Sequence, residues 1–161
     1  MKNLLNLLTL LMITTASFAQ SFIDKNFANQ LNDDKVTRVT VGTKAFSMLT
    51  SFTSNLKDED AKKVGEIASK VKSFDLIAQE KIGNASELYA EAIAKTRGFE
   101  ELIKVRAKGA NVSLRIKEKN NIITQIIGIV AADSTFVVFD LTGELNVNEV
   151  GELTSKISES N

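Results

Sequence analysis

The pattern of apolar and polar positions begins with a short hydrophobic leader. Lys2 gives a positive start, and a leucine-rich apolar run follows over residues 4–14. Small side chains at Ser17 and Ala19 then stand at the −3 and −1 positions of a signal-peptidase site. The run is shorter than the roughly 20 apolar residues that cross a bilayer as a helix. The pattern therefore predicts a signal peptide over residues 1–19 that is cleaved after Ala19.

Helical periods dominate the first half of the remaining chain. Ile23, Phe27 and Leu31 recur every four positions and form one apolar stripe of a helix. A run of mostly β-branched residues over 36–41 is typical of a strand instead. The same reasoning predicts, in chain order, a helix from Ser21, a strand over 36–41, a helix over 44–56, a helix from Asp58, a strand over 73–78 and a helix from Asn84.

After Gly98 the period changes from helical to alternating. Residues 122–131 are apolar on both faces from Ile126 onward, which is typical of a central strand. The predicted elements are four strands in hairpin succession over 101–106, 111–117, 122–131 and 136–142, with turns at Gly109 and at Asn120 and Asn121, and a closing helix from Asn146 that carries Val150, Leu153 and Ile157.

The strand over 111–117 alternates cleanly between apolar and polar residues. In an antiparallel sheet such a strand usually turns its apolar side to the core and its polar side to water. We therefore expect one set to face the core, namely Val112, Leu114 and Ile116. The other set is expected to be wet or covered by long basic stems, namely Ser113, Arg115 and Lys117.

These elements predict the fold class α+β, with a largely antiparallel sheet of about six strands and helices packed on one face. Residues 20–161 have the size of one ordinary domain. No repeat, linker or low-complexity tract divides them. We therefore expect a single α+β domain over residues 20–161.

Composition narrows the chemistry that the chain can perform. It contains neither cysteine nor histidine, and its formal net charge at pH 7 is zero. Serine–histidine triads, cysteine proteases, zinc hydrolases and thiol redox chemistry are thereby excluded, and we expect no metal or cofactor. The balanced charge gives no global attraction to nucleic acid. Because no cysteine follows the leader to carry a lipid, the mature protein is expected to be soluble and either periplasmic or secreted.

Six basic residues cluster on the hairpin predicted over residues 104–119. Strand alternation places Lys104 with Arg106 and Arg115 with Lys117, and these four are the candidate binding residues. Such a strip would attract an anionic ligand, an anionic surface or an envelope protein. The alternative is a solvated sheet face on which lysine and arginine protect an edge strand.

Carboxylates are the main groups left for catalysis. Asp140 interrupts an apolar strand, and Asp133 and Glu144 lie near the same hairpin. Paired carboxylates at a suitable separation perform acid–base or glycoside chemistry. The alternative for Asp140 is an edge strand or a satisfied hydrogen bond. The acidic run over 58–60 could form half of a calcium or magnesium site, but acids in the first turn of a helix, where they complement its dipole, are the favoured interpretation.

The second half of the chain also resembles a known family. A helix ending near Gly98, a hairpin through Gly109 and the segment Phe-Val-Val-Phe-Asp-Leu-Thr-Gly-Glu over 136–144 are similar to the domain of unknown function family 4252. The segments over 36–48 and 73–78 also fit. The resemblance implies a small exported protein of the Bacteroidetes type, and it carries no established activity.

The function predicted from these features is that of an exported envelope protein acting as a non-catalytic binding module. Its partner would be an envelope protein or an anionic surface. The alternative is a carboxylate-dependent periplasmic hydrolase. A cleft that holds two carboxylates with perturbed pKa values would favour the hydrolase, and a groove without them would favour the binding module.

Overall fold

All six predicted strands are present in the computed structural model, which describes residues 20–149, and each pairs antiparallel with its neighbours. The α+β fold class is confirmed. The predicted signal peptide over residues 1–19 lies outside the described residues, as do Val150, Leu153 and Ile157 of the predicted closing helix. Between residues 20 and 149, no helix has the length and hydropathy that a membrane span requires.

The helices and strands follow one another in the predicted order. They are α1 (Phe22–Asn26), α2 (Ala28–Leu31), β1 (Val36–Gly42), α3 (Thr43–Thr53), α4 (Glu59–Lys70), β2 (Val71–Gln79), α5 (Ala85–Lys95), β3 (Glu100–Ala107), β4 (Ala110–Lys119), β5 (Ile122–Ala132) and β6 (Thr135–Asn146). The one helix predicted from Ser21 is divided at Phe27 into α1 and α2.

The strand order in the sheet is β1-β2-β6-β5-β4-β3. Hairpins join β3 to β4, β4 to β5 and β5 to β6, as the alternating second half predicts. β6 then pairs with β2, so the two halves of the chain meet inside the sheet. The strand predicted to be central is β5, which lies between β4 and β6 and whose Ile127 and Ile129 are fully buried.

The main core lies on one face of the sheet, beneath α1, α2 and α5. Its members include Phe22 and Ile23 of α1, Leu88 and Ala92 of α5, and Ile77, Ile127, Ile129 and Val138 of the strands. On the opposite face Ile67 of α4 packs against a smaller cluster that contains Ile126 and Leu145. The one-sided arrangement of helices therefore holds for α1, α2 and α5, and α4, together with α3 that packs against it, is the exception.

Short polar side chains begin the helices at the predicted places. Ser21 and Asp58 accept backbone hydrogen bonds from the first turns of α1 and α4. Asn146 and Glu149 exchange hydrogen bonds with each other's backbone N–H, which is a capping box. The side chain of Asn84 makes no such bond, so the cap predicted there is wrong. Its ψ of 26° departs from the extended conformation of most N-caps.

The apolar face of β4 packs on a core cluster as predicted, but the polar face, which was expected to be wet or covered by long basic stems, is covered by the main core as well. Ser113 and Arg115 pair in register with Ile129 and Ile127, so their side chains point to the main core beneath α5. Ser113 is fully buried, and the Arg115 side chain is 17% exposed. Leu114 lies against the smaller cluster on the opposite face. Alternation separates two faces, but it does not decide which face the helices cover, because the neighbouring β5 is apolar on both.

Gly128 of β5 allows an aromatic ring to lie directly on the strand. A Cβ atom at this position would come within 2.0 Å of the Phe139 ring. That ring also contacts the ring of Phe74, with 5.8 Å between the centroids. The glycine is therefore required by the close approach of a side chain rather than by its backbone angles.

Candidate anion-binding site

A cleft lies between α5 and the sheet edge formed by β3 and β4, and we call it the α5–β3 cleft. Its volume is about 590 Å³. The helix contributes Ser86, Tyr89, Ala90 and Ile93, and the sheet contributes Lys104, Arg106, Ala107 and Asn111. Two of the four predicted binding residues, Lys104 and Arg106, thus line a concave site.

Helical and strand periods turn these side chains toward one another. The four helix residues follow the spacing i, i+3, i+4, i+7 and share one face of α5. On the sheet, Lys104 pairs in register with Ser113, and Arg106 pairs with Asn111. Residues that are directly opposite share a face of the sheet, and Ser113 points to the α5 side. The predicted pairing of Lys104 with Arg106 on one face is therefore confirmed.

The lining of the α5–β3 cleft carries two cations and no carboxylate. The Lys104 ammonium lies 3.5 Å from Glu101, and both side chains are substantially exposed, so water screens the pair. Among residues 20–149, no ion pair holds Arg106. Tyr89, Ala90 and Ile93 make the opposite wall largely apolar. A concave site of this kind can orient a ligand through its charged group while the rest of the ligand contacts apolar surface.

Two buried polar groups lie on the same face of β4. Arg115 donates one hydrogen bond to Thr96 at 2.9 Å and lies 3.6 Å from a carboxylate oxygen of Glu101. Its Nε, together with the hydroxyl of Ser113, has no hydrogen-bond partner within the part of the chain that the structure describes. A buried polar group without a hydrogen-bond partner lowers the stability of the fold by about 1–3 kcal/mol. These two groups therefore make the surroundings of the cleft more polar without stabilising the protein.

The remaining predicted binding residue lies elsewhere. Lys117 shares the face of β4 with Arg115, but it lines a second cleft between α1 and the sheet. Its ammonium lies 4.4 Å from the centroid of the Phe99 ring. The predicted strip of Lys104, Arg106, Arg115 and Lys117 is therefore divided between two clefts, with the largely buried Arg115 between them.

The candidate carboxylates also separate. Asp58 caps α4, as the dipole explanation predicts. Glu144 pairs with Lys72, which lowers the pKa of this exposed carboxyl below its usual value. Asp140 is buried and faces Asp75, which is its register partner across β2 and β6.

Asp75 is the centre of a hydrogen-bond network on the α1 side of the sheet. It accepts two bonds from Arg38, at 3.0 and 2.6 Å, one from Thr40 at 2.9 Å and one from Ser21 at 2.8 Å. Burial alone would raise the pKa of Asp75, but the donors, with Arg38 first among them, lower it below its usual value. Arg38 also pairs with Asp24 at 2.8 Å. The hydrogen bonds to Asp75 and Asp24 raise the pKa of the guanidinium further.

Asp140, the register partner of Asp75, has different and fewer donors. It accepts one bond from the backbone N–H of Phe22 and one from the side chain of Gln125, both at 2.9 Å. Burial is the largest influence and raises the pKa of Asp140 above its usual value, and the charge of Asp75 acts in the same direction. Both carboxylates thus hold the start of α1 on the sheet, one in a charged network and one in a largely neutral setting.

Sequence reasoning missed several of these residues. Asp75 lies within the correctly predicted strand 73–78 but stands out only when Arg38 is known to face it. Ser86 and Tyr89 carry a usable signal, because their helical spacing with Ile93 marks one face of α5. Which strand that face meets depends on the sheet order, and a sequence pattern does not contain that order.

The fold and site together define an antiparallel α+β protein with a cationic cleft under one helix. The chain belongs to the family described as a domain of unknown function (DUF4252), whose model matches residues 27–153. The match takes in almost every element from α2 onward. No curated protein and no solved structure matches the chain significantly.

Proposed function

We propose that this protein is a non-catalytic binding module that takes an anionic ligand in the α5–β3 cleft. The observation that carries the proposal is the lining of the cleft, in which Lys104 and Arg106 converge with Asn111 and no carboxylate is present. Charge of one sign in a concave site focuses the local field and raises the concentration of oppositely charged ligands. The ligand is a carboxylate, phosphate or sulfate group attached to a less polar body that contacts Tyr89 and Ile93.

We further propose that the protein acts in the cell envelope or outside the cell, after cleavage following Ala19. The leader pattern over residues 1–19 supports this proposal, and so does the position of the first helix cap at Ser21, two residues beyond the expected cut. Intact-mass measurement of the exported protein should give a chain that begins at Gln20. A lipid adduct, or a mass that retains residues 1–19, would contradict the proposal.

Ligand binding can be tested with side-chain amide signals as reporters. The mature protein is titrated with citrate, pyrophosphate and a sulfated tetrasaccharide, and the NMR signal of the Asn111 side-chain amide is followed. We expect a saturable shift with at least one probe and a loss of affinity as salt rises. The variant Lys104→Gln/Arg106→Gln should lose at least tenfold in affinity while melting close to the parent protein, because exposed charges contribute little stability.

A matched control removes the same charge from another surface. Lys57→Gln/Lys63→Gln takes two exposed cations from α4 and the turn before it. This control should bind the probe as the parent protein does. An equal loss of affinity in both double variants would show diffuse electrostatics rather than a site, and it would overturn the proposal.

The alternative, a carboxylate-dependent hydrolase, would have to use Asp75 and Asp140. They are held together with pKa values moved in opposite directions, which is a pattern found in acid–base pairs. Both are buried, at 3% and 2% exposure, and their oxygens accept hydrogen bonds from α1 and neighbouring strands. This arrangement supports an anchoring role for the pair and favours the binding module.

A further inference from the structure

A second basic cleft lies at the other end of α5, and we call it the α1–β4 cleft. Its volume is about 300 Å³. Four cations and three side-chain amides line it: Lys25, Lys95, Arg97 and Lys117, with Gln20, Asn26 and Gln125. No carboxylate is among its lining residues. These residues come from α1, the end of α5, β4 and β5, so only the folded chain brings the four charges together.

Two of the four cations of the α1–β4 cleft, Lys95 and Lys117, lie against aromatic rings. Lys95 lies 4.5 Å from the Phe27 ring centroid and donates to the carbonyl of Asn26 at 2.6 Å. It also pairs with Glu91 at 3.1 Å. Lys117 lies over the Phe99 ring. Cation–π contacts orient an ammonium group without neutralising its charge.

The compensation by nearby acids is incomplete. Glu91 forms an ion pair with Lys95. Asp140, which accepts a hydrogen bond from Gln125, interacts electrostatically with Lys117 without contacting it. Within residues 20–149, neither Lys25 nor Arg97 forms an ion pair. Four positive charges around a cleft of this size repel one another, and an anion seated among them would relieve that repulsion.

We propose that the α1–β4 cleft is a second anion-binding site, specific for a compact tetrahedral oxyanion, a phosphate or phosphomonoester group. The cleft has room for such a group, and its four converging cations rather than its shape select it. The planar guanidinium of Arg97 can donate two parallel hydrogen bonds to its oxygens, and the lysines supply point charges. The site is separate from the α5–β3 cleft, because Lys117 follows Asn111 by six positions on β4, a distance of about 20 Å along an extended strand.

The two clefts carry different reporters, so each proposal can fail without the other. The side-chain amides of Asn26 and Gln125 line the α1–β4 cleft, and that of Asn111 lines the α5–β3 cleft. The mature protein is titrated with inorganic phosphate and, in a second arm, with phosphatidylcholine vesicles that contain phosphatidic acid. We expect phosphate to shift the signals of Asn26 and Gln125 saturably in the millimolar range or below. Retention on the vesicles as well would assign the oxyanion to a lipid headgroup, and a response to phosphate alone would assign it to a soluble phosphate.

The decisive variant is Arg97→Gln/Lys117→Gln. It should weaken phosphate binding at the Asn26 and Gln125 signals at least tenfold and leave the Asn111 signal in place, which also shows that the chain is folded. The matched variants Lys104→Gln/Arg106→Gln and Lys57→Gln/Lys63→Gln should leave phosphate binding at the α1–β4 cleft unchanged. The proposal is overturned if the Asn26 and Gln125 signals do not respond to about 10 mM phosphate. It is also overturned if all three double variants weaken phosphate binding equally.

Discussion

Asp75 and Asp140 show how two identical residues on facing strands come to differ. Arg38, Thr40 and Ser21 all donate to Asp75, so its charged form is stabilised in spite of burial. Asp140 receives only two donors, and burial dominates its pKa. The difference arises from the neighbours rather than from the depth of the carboxylates, since both are almost fully buried.

We predict that Asp75→Asn destabilises the protein by about 1–3 kcal/mol at pH 7, because charge-assisted hydrogen bonds to Arg38 are lost. A carboxylate whose folded pKa is depressed contributes stability above its unfolded pKa of about 3.9, and that contribution disappears as the pH falls through the folded pKa. The difference between parent and variant should therefore be largest near neutrality and shrink below pH 4. Denaturant unfolding at pH 7, 5 and 3.5 measures it.

Asp140→Asn is the matched comparison, and the charge that it removes acts on stability at pH 7 with the opposite sign. Its folded pKa is raised, so the ionised carboxylate weakens the fold at neutral pH and stability is gained on protonation. The asparagine oxygen can still accept the hydrogen bond from the N–H of Phe22. Gln125 can rotate its side-chain amide so that its oxygen accepts a hydrogen bond from the new NH2 group. The variant should therefore be no less stable than the parent at pH 7. A larger loss at pH 7 for Asp140→Asn than for Asp75→Asn would contradict this account.

Residue-level predictions succeeded where local geometry decides. Ser21 and Asp58 cap helices as predicted, and Gly109 and Asn120 adopt the positive φ angles that their turns require. The prediction failed at Ser113, which is fully buried although it was expected on the wet face. A serine next to basic residues gives no sign that a helix from elsewhere in the chain covers it.

At the scale of single elements, β5 is the strand on which both faces of the sheet depend. Ile127 and Ile129 enter the main core and Ile126 the smaller cluster, while Gly128 lies under the Phe139 ring. Its continuous apolar sequence identified it as an interior strand. The same continuity concealed which face the helices cover, and with it the location of Arg115.

We predict that Ile127→Asp unfolds the domain. The side chain is fully buried, and an unpaired carboxylate there should cost several kcal/mol, a large share of the roughly 5–15 kcal/mol that holds a domain folded. Ile122→Asp on the same strand is the control, because Ile122 is 37% exposed. Circular dichroism melting should show a cooperative transition for the control and none for Ile127→Asp. A parent-like melt for Ile127→Asp would mean that β5 is misplaced.

Gly128→Ala should also destabilise the protein, by about 1–3 kcal/mol, because the new methyl group overlaps the Phe139 ring. Gly83→Ala is the control, since a Cβ atom there meets nothing within 4 Å. Phe139→Leu removes the ring, so Gly128→Ala should cost less stability in the Phe139→Leu background than it does in the parent protein. An additive double-mutant cycle would show that the two positions do not interact.

The whole molecule is a sheet closed by a contact between the two halves of the chain. Hairpin order from β3 to β6 follows from short turns and was predictable. The pairing of β6 with β2 is not local, since about seventy residues separate Ser73 from its partner Thr142, and no turn signal encodes it. That pairing brings Asp75 to Asp140 and completes the β5–β6 surface on which α5 packs, beside β3 and β4. The family and the fold class could therefore be predicted from the sequence, whereas the two clefts could not.

We predict that a chain ending at Ser134, which lacks β6, does not fold, because β2 and β5 then have no partner between them. Size-exclusion chromatography should show aggregates for this truncation. A synthetic peptide covering residues 135–161, added during refolding, should restore a soluble complex by taking the vacant strand position. A soluble, cooperatively melting truncation without the peptide would contradict the prediction.

The position of β6 also bears on how the chain is made. Synthesis runs from the amino end, so β6, the last of the strands that the structure describes, leaves the ribosome after its five companions although it lies near the middle of the sheet. Until then the nascent chain holds β2 and β5 with open edges, and such edges recruit other chains. A protein of this topology completes its sheet only after β6 has been synthesised, so the nascent chain depends on being kept from pairing with other chains until then.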